Sequence, residues 1–355
     1  MSFGGRNWSC SSPMSWRPAT SVSQWAPGTS PPFPMRFVRY WRQEIVAETH
    51  AVDLLRQRLE DASLAQGVRT GHGLARLTTY RVGGAAALFV CPDNEAELLR
   101  AAEALVGTGV PSLIVGRGSN MLVADAGFDG LAIQLGDGFE GVRADGNRLT
   151  AGGAASLPVV ARFSVAEGLR GFEWAVGVPG SIGGAVRMNA GGHGSDMAAV
   201  LSEVTLLDLA QATTTTVPAS HLNLGYRRSS VSGGQVVTSA TLHLERGSRT
   251  EGEEVISEIV RWRRENQPGG QNSGSVFANP PGDSAGRLVE LAGAKGLRVG
   301  TAVVSDRHAN FIQADQGGSA DDIFALMTEV RRRVLEVHGV DLLPETVLVG
   351  FSEYP

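Results

Sequence analysis

Three short segments, far apart in the chain, carry guanidinium, hydroxyl, amide and carboxyl groups of the kind that can hold a polar or anionic ligand. Tyr226-Arg227-Arg228-Ser229-Ser230 brings two guanidinium groups and three hydroxyls together just ahead of an apolar strand pattern. Arginine is the side chain best shaped for bidentate contact with a carboxylate or phosphate. Gly274-Ser275-Val276-Phe277-Ala278-Asn279-Pro280 offers a hydroxyl and an amide on an apolar-flanked loop, and Pro344-Glu345-Thr346-Val347 sets one carboxyl at the head of a short apolar strand. Taken singly, each has a plain reading: solvated arginines, an ordinary turn, a surface charge.

Glycine supplies the second signal, with 46 residues of 355 against a usual share of ~7%. The glycines cluster with Asn, Ser and apolar residues, without collagen-like period, which marks loops where backbone must come close to something. Gly116-Arg117-Gly118-Ser119-Asn120 follows a strand pattern and runs into Met121-Leu122-Val123 rather than into a helix. It lacks the third glycine of G-x-G-x-x-G, and no Gly-Lys-Ser/Thr occurs, so Rossmann and P-loop sites are excluded. A second glycine-dense stretch spans 168–194. Two such loops could converge on one extended dinucleotide, each giving backbone N–H donors. Ser181 does not sit in a G-x-S-x-G elbow, because Pro179 stands two residues before it. The histidines are dispersed and form no His-Glu-x-x-His pair, so no metal site is expected. His193, inside a glycine loop, is kept as a ligand contact.

The elements that must position these residues read as mixed α and β. Strands are expected at Ala86–Val90, Ser112–Val115, Leu131–Leu135, Leu149–Ala151, Glu203–Asp208 and Gln235–Leu244, with another around Asn310–Ala314. Helices are expected at 44–60, after an Asn94/Glu97 capping box, at Leu157–Glu167, Glu253–Asn266 and Ala285–Ala292, and after a Ser319/Asp322 box, with Gly339 as its stop. The 168–194 stretch has poor periodicity and no element is assigned to it. A polar turn near 245–252 is the natural boundary. The expected organisation is an extension at 1–43, units at 44–135 and 136–250, and a C-terminal domain at 251–355. Residues 1–43 hold four tryptophans, five arginines and no acid. That composition also suits a transit peptide, but no amphipathic pattern accompanies it. A disordered extension, or a true start nearer Met35, is the expectation.

Lys plus Arg number 31 against 36 Asp plus Glu, a formal charge of −5. No global basic field exists to grip nucleic acid or an anionic membrane, so any anionic ligand must be held locally. Cys10 and Cys91 are too few for a disulfide framework. No apolar run reaches the ~18 residues of a membrane span. A soluble chain in a reducing compartment is expected.

Taken in order, these segments resemble one family, the UDP-N-acetylenolpyruvoylglucosamine reductases, also called UDP-N-acetylmuramate dehydrogenases. The resemblance runs from about Leu74 to Gly350. It rests on Thr78-Thr79-Tyr80-Arg81-Val82-Gly83-Gly84, Gly116–Leu122, Gly177–Ala185, Met188-Asn189-Ala190-Gly191, Tyr226-Arg227-x-Ser229, Gly274–Pro280 and Leu343-Pro344-Glu345. Each motif is weak alone, but seven in the family's order are specific.

The resemblance implies an α+β fold in which a two-subdomain FAD module of the vanillyl-alcohol-oxidase type is followed by a C-terminal α+β substrate-binding domain. It implies FAD and NADPH as cofactors, a cytoplasmic location, and UDP-N-acetylglucosamine enolpyruvate as the substrate, reduced to UDP-N-acetylmuramate for peptidoglycan. A monomer is the default expectation. Arg117, Gly118, Ser119, Asn120, Met121 and Leu122 would contact FAD, with Gly177, Pro179, Gly180, Ser181, Gly183, Gly184, Asn189 and Gly191 from the second loop. Arg227 would clamp the substrate carboxylate, aided by Glu345, and Ser275 would deliver the proton. Tyr226, Asn279 and His193 would touch substrate.

The chain departs from that pattern in places. Ala278 stands where many relatives have Lys, so a cation expected near the substrate phosphate would have to come from Arg263 or Arg264. No tyrosine lies between Val231 and Gly274, which matches a subgroup without a Tyr-bearing lid. Two other readings remain, a flavin oxidase or dehydrogenase of the same fold acting on another substrate, and a non-catalytic binding protein. The presence of Arg227, Ser275 and Glu345 together separates the reductase from the first, and flavin bleaching by NADPH with recovery on the enolpyruvyl sugar nucleotide separates all three.

Overall fold

The described residues open in a helix, 50–61 (α1), whose apolar face buries Leu55 and Leu59 fully. A computed structural model describes residues 50–352 and 355. The expectations for 1–43, and the start of the first helix at 44, lie outside the described residues.

Ala85–Val90 alternates until its last three residues, which are buried on both faces as a central strand requires. It pairs antiparallel with Val68–Gly73 and parallel with Phe128–Ile133, which in turn pairs parallel with Ser112–Ile114. Helix α2, Glu95–Leu105, makes the crossover. Asn94 caps it by accepting the Glu97 N–H at 3.0 Å, and the Glu97 carboxylate reaches back to the Asp93 N–H, also at 3.0 Å. This is the capping-box logic displaced by one residue.

The middle of the chain forms a five-stranded antiparallel sheet. Its order is Thr213–Pro218, Leu201–Asp208, Gln235–His243, Arg148–Gly152, Val142–Asp145. Helix α3, Leu157–Ala166, and the seven-residue α4, Ile182–Met188, share its core. The sequence offered no element at α4, because glycines fill it. A Ser181 side chain accepting the Gly184 N–H starts it, and Asn189 in the left-handed region ends it.

Helix α5, Arg249–Asn266, was expected to open the C-terminal domain. It packs instead into this middle core through Ile256 and Ile259. The polar turn is therefore a turn inside the middle unit, and the Gln267–Ser273 linker is where the core changes. Beyond it, Arg298–Val299, Ala302–Val304 and Ile312–Ala314 form a small antiparallel sheet. Helices α6, Ala285–Leu291, and α7, Ala320–His338, pack into the same core. Ser319 caps α7 by accepting the Asp322 N–H, and Gly339 (φ 66°) stops it, as the sequence signals.

Two features join this last unit to the first. Tyr80, Val82 and Leu122 belong to the C-terminal core, and Val347–Val349 pairs in parallel with Met121–Val123, directly after the glycine loop. Among the described residues no helix is long and apolar enough to cross a membrane, and no cluster of His, Cys, Asp and Glu could hold a metal ion.

Candidate active site

The two glycine loops meet. A Cβ on Gly116 would stand 2.8 Å from the Ser181 hydroxyl, and one on Gly180 would stand 3.3 Å from the Ser119 hydroxyl. Between them opens a cavity of about 400 Å³, lined on one side by Gly116 and Arg117 and on the other by Ser181, Gly183 and Gly184. Gln134, which the sequence did not single out, lines it too and fixes the first loop by donating to the Gly116 carbonyl at 3.0 Å.

Among the described residues, none of the backbone N–H groups of 116–120 donates to a protein acceptor. Such a run of unpartnered donors needs an anion or water. The pyrophosphate of FAD fits that need, and the cavity lies within the ordinary size of a ligand pocket. The second loop differs. The Gly183 N–H donates to the Gly153 carbonyl at 2.9 Å and the Gly184 N–H to Ser181 Oγ at 3.3 Å. These two glycines line the cavity with their N–H groups already engaged, whereas the neighbouring Gly180 and Ser181 N–H groups donate to no acceptor among the described residues.

Other residues expected at the cofactor also have packing or hydrogen-bonding partners within the protein. Met121 and Leu122 are buried in the strand that pairs with Val347–Val349. Gly118 is forced by packing, since a Cβ there would meet the Leu77 carbonyl oxygen at 2.1 Å. Ser119, Asn120 and Pro179 stand close in the chain to lining residues rather than lining the cavity themselves. Gly177 faces Ile259, Arg263 and His193, and Gly191 lies against Asp196. Asn189 is buried and its amide is fully engaged: it donates to Asp196 and to the Gly225 carbonyl, and accepts from the Ala198 N–H.

That last contact explains the arginine. Gly225 and Arg228 exchange backbone hydrogen bonds at 3.0 and 3.1 Å, closing a turn with Tyr226 and Arg227 at its tip. Arg227 sits at φ 55°, a conformation that costs a non-glycine residue about 1–2 kcal/mol. Asn189, holding the turn's first carbonyl, helps the fold impose that conformation. Tyr226 is 60% exposed, with the Arg227 guanidinium over its ring at 5.4 Å.

Arg227 Nε lies 2.7 Å from Glu345 Oε1, with side-chain exposures of 28% and 14%. The Nε is shut off from solvent, yet it lacks an aligned hydrogen-bond acceptor, so the contact is a charge pairing with a donor still to satisfy. Burial pushes the Glu345 carboxyl above its ordinary range, and the Arg227 charge pulls it back only in part.

Glu345 is tied through its backbone to the Ser275 segment and to the first glycine loop. Its N–H donates to the Val276 carbonyl at 2.7 Å, its carbonyl accepts from the Asn120 amide at 3.0 Å, and the Val347 N–H donates to the Asn120 carbonyl at 3.0 Å. Ser275 is the residue before Val276, half-buried, and its hydroxyl makes no hydrogen bond among the described residues. Asn310, which the sequence reading passed over, shapes that loop. Its side chain exchanges hydrogen bonds with both the N–H and carbonyl of Phe277, at 2.9 and 2.8 Å, and its own carbonyl accepts from the Val276 N–H. The amide acts as a one-residue strand partner.

Asn279 and His193, both expected at substrate, have partners of their own in the protein. Asn279 accepts the Ala285 N–H at the start of α6. His193 packs edge-on to Trp262 at 5.1 Å, and burial followed by the Arg263 charge holds it below its ordinary pKa. Arg263 itself is partly buried against Gly177, which lowers its pKa, and it forms no ion pair among the described residues. Glu290 and Lys295 pair with each other at 3.0 Å on the surface.

The family model of the UDP-N-acetylenolpyruvoylglucosamine reductase C-terminal domain matches residues 266–349, and that of an FAD binding domain matches 86–217. A reductase of that name from Heliobacterium modesticaldum is 42% identical over 282 residues, covering 79% of this chain and 90% of its own length. The chain belongs to the UDP-N-acetylenolpyruvoylglucosamine reductase family. A second member, from Rubrobacter xylanophilus, is 41% identical over 279 residues and 93% of its own length. The crystal structure of the reductase from Thermus caldophilus superposes with a TM-score of 0.70 at 34% identity, covering 79% of this chain and 99% of that one. Membership makes the chain a flavin-dependent oxidoreductase built from an FAD module and a C-terminal domain. The start of the reductase-domain match at 266 coincides with the end of α5, in agreement with the packing of that helix into the middle core.

Proposed function

We propose that this chain carries out its family's reaction through Arg227, Ser275 and Glu345, with FAD held at the 116–120 loop. The reaction is the NADPH-dependent, FAD-mediated reduction of UDP-N-acetylglucosamine enolpyruvate to UDP-N-acetylmuramate in peptidoglycan synthesis. FAD, when bound, supplies to the vinyl carbon of the substrate a hydride drawn from NADPH.

Hydride arriving at the terminal carbon pushes negative charge onto the α-carbon and its carboxylate, and stabilising that charge is the main catalytic task. Arg227 offers a fixed cation with a buried, unsatisfied N–H. Glu345, whose carboxyl burial pushes above its ordinary range, sits 2.7 Å from it and helps to hold the guanidinium in place for the substrate carboxylate. Ser275 delivers its proton to the α-carbon. A serine hydroxyl does this only where its alkoxide is stabilised, and Arg227 is the cation this cluster contains.

The observation carrying the reading is the joining of three distant segments by the 2.7 Å Arg227–Glu345 contact and the Glu345–Val276 backbone bond. Stopped-flow flavin absorbance tests it. Ser275→Ala is expected to bleach with NADPH at nearly the wild-type rate and to recover about 10²–10⁴-fold more slowly on adding the enolpyruvyl sugar nucleotide, the usual range for losing a general acid. Equal losses in both halves would remove Ser275 from the proton-donor role. A cytoplasmic location is the reading that NADPH and a nucleotide sugar as ligands support.

A further inference from the structure

A second cavity, about 460 Å³, opens beside the first. Its walls are the segment Arg76–Arg81 on one side and Gly270 and Gln271 on the other, and Arg117 belongs to both cavities. A ligand in the second therefore lies next to whatever fills the first.

The second cavity is strongly cationic. Arg76, Arg81 and Arg117 line it and no acidic side chain does. Arg117 is paired with Glu140 at 2.9 Å, whereas Arg76 and Arg81 make no side-chain ion pair or hydrogen bond among the described residues. Guanidinium groups gathered at one opening repel each other, and an anion seated among them removes that cost. The backbone fixes the array. Arg81 is held at φ 56° by N–H bonds to the Thr78 hydroxyl and carbonyl, and Thr79 is tied to the Gly118 carbonyl. Gln271 adds a side-chain oxygen that is closed to solvent and has no partner, an unmet polar group of the kind a ligand hydroxyl or N–H satisfies.

We infer that this cavity is a phosphate subsite, in which Arg76 and Arg81 hold the phosphate groups of an incoming nucleotide against Arg117. Several cations and a volume in the range of ligand pockets suit a phosphorylated nucleotide better than a lone carboxylate. Both NADPH and a nucleoside-diphosphate sugar carry that chemistry, and the inference rests on the proposed function, in which both are ligands.

The two half-reactions distinguish the sources in the intact holoenzyme. In Arg76→Gln/Arg81→Gln, the concentration dependence of flavin bleaching reports on NADPH and that of flavin recovery on the sugar nucleotide. A tenfold or larger rise in the half-saturating concentration in one arm is expected, with flavin content unchanged, and the affected arm names the occupant. If the phosphate is the one that distinguishes NADPH from NADH, the rise vanishes when NADH is the reductant. Arg148→Gln, which removes an equal charge from a pair with Glu203 on the middle sheet, controls for the overall field. Half-saturation within twofold of wild type in both arms, or the same rise in the control, overturns the inference. Wild-type enzyme that neither bleaches nor recovers would instead overturn the proposed function.

Discussion

The loop at 116–120 and the loop at 177–192 are both rich in glycine and meet at one cavity, but the glycines that line it use their N–H groups differently. In the first, the N–H groups are left without protein acceptors. In the second, the glycines that line the cavity have theirs bound to the Gly153 carbonyl and the Ser181 hydroxyl, and neighbouring positions serve close packing or brace the Arg227 turn. Glycine alone does not mark a cradle. What marks it is glycine backbone whose donors the protein leaves unclaimed.

The sharpest way to break this contrast is at Gly118. Its Cβ would meet the Leu77 carbonyl at 2.1 Å and its φ is 57°, so Gly118→Ala combines a backbone clash with left-handed strain. A loss of about 3–5 kcal/mol is expected, read as a lower Tm together with lost flavin absorbance, because the free donors sit in the same loop. A variant that stays yellow with an unchanged Tm would separate Gly118 from both jobs.

Asn189→Ala is the next largest. It removes three hydrogen bonds from a buried amide, at ~1–3 kcal/mol for the group left unsatisfied. Flavin should remain bound, and recovery after bleaching should slow more than bleaching does, since the brace on Gly225 is lost. Flavin loss with normal recovery per bound flavin would put Asn189 back at the cofactor.

Gly184→Ala should do least. Its Cβ would lie 3.5 Å from Ser181 Oγ, an ordinary contact, so a stability change under about 1 kcal/mol is expected, with flavin content unchanged by absorbance ratio. Marked flavin loss would mean that the second loop approaches the cofactor through this position.

Much of the architecture is legible in the residues, and the exceptions have physical reasons. Asn94/Glu97 and Ser319/Asp322 announce helices because a capping oxygen needs a specific N–H three residues on. The strand Thr213–Pro218 carries no such signal. It is an edge strand, almost wholly exposed, whose threonines show no apolar alternation. Helix α5 was assigned to the wrong core because the turn before it resembles a linker, while Ile256 and Ile259 do not reveal which sheet they face. In the site, Arg227, Ser275 and Glu345 are found by motif order. Asn310 is not, because an amide that imitates a strand partner depends on where Phe277 folds back, and no local pattern records that.

The pairing of Val347–Val349 with Met121–Val123 sets a schedule for activity. The polypeptide emerges from the ribosome in order, and early units can fold before late ones exist. A nascent chain halted ahead of residue 345 could already present its flavin loop, yet it would lack both the carboxyl partner of Arg227 and the ribbon that seats it. With Glu345 in the role proposed above, turnover is expected only from copies whose last strand has been made.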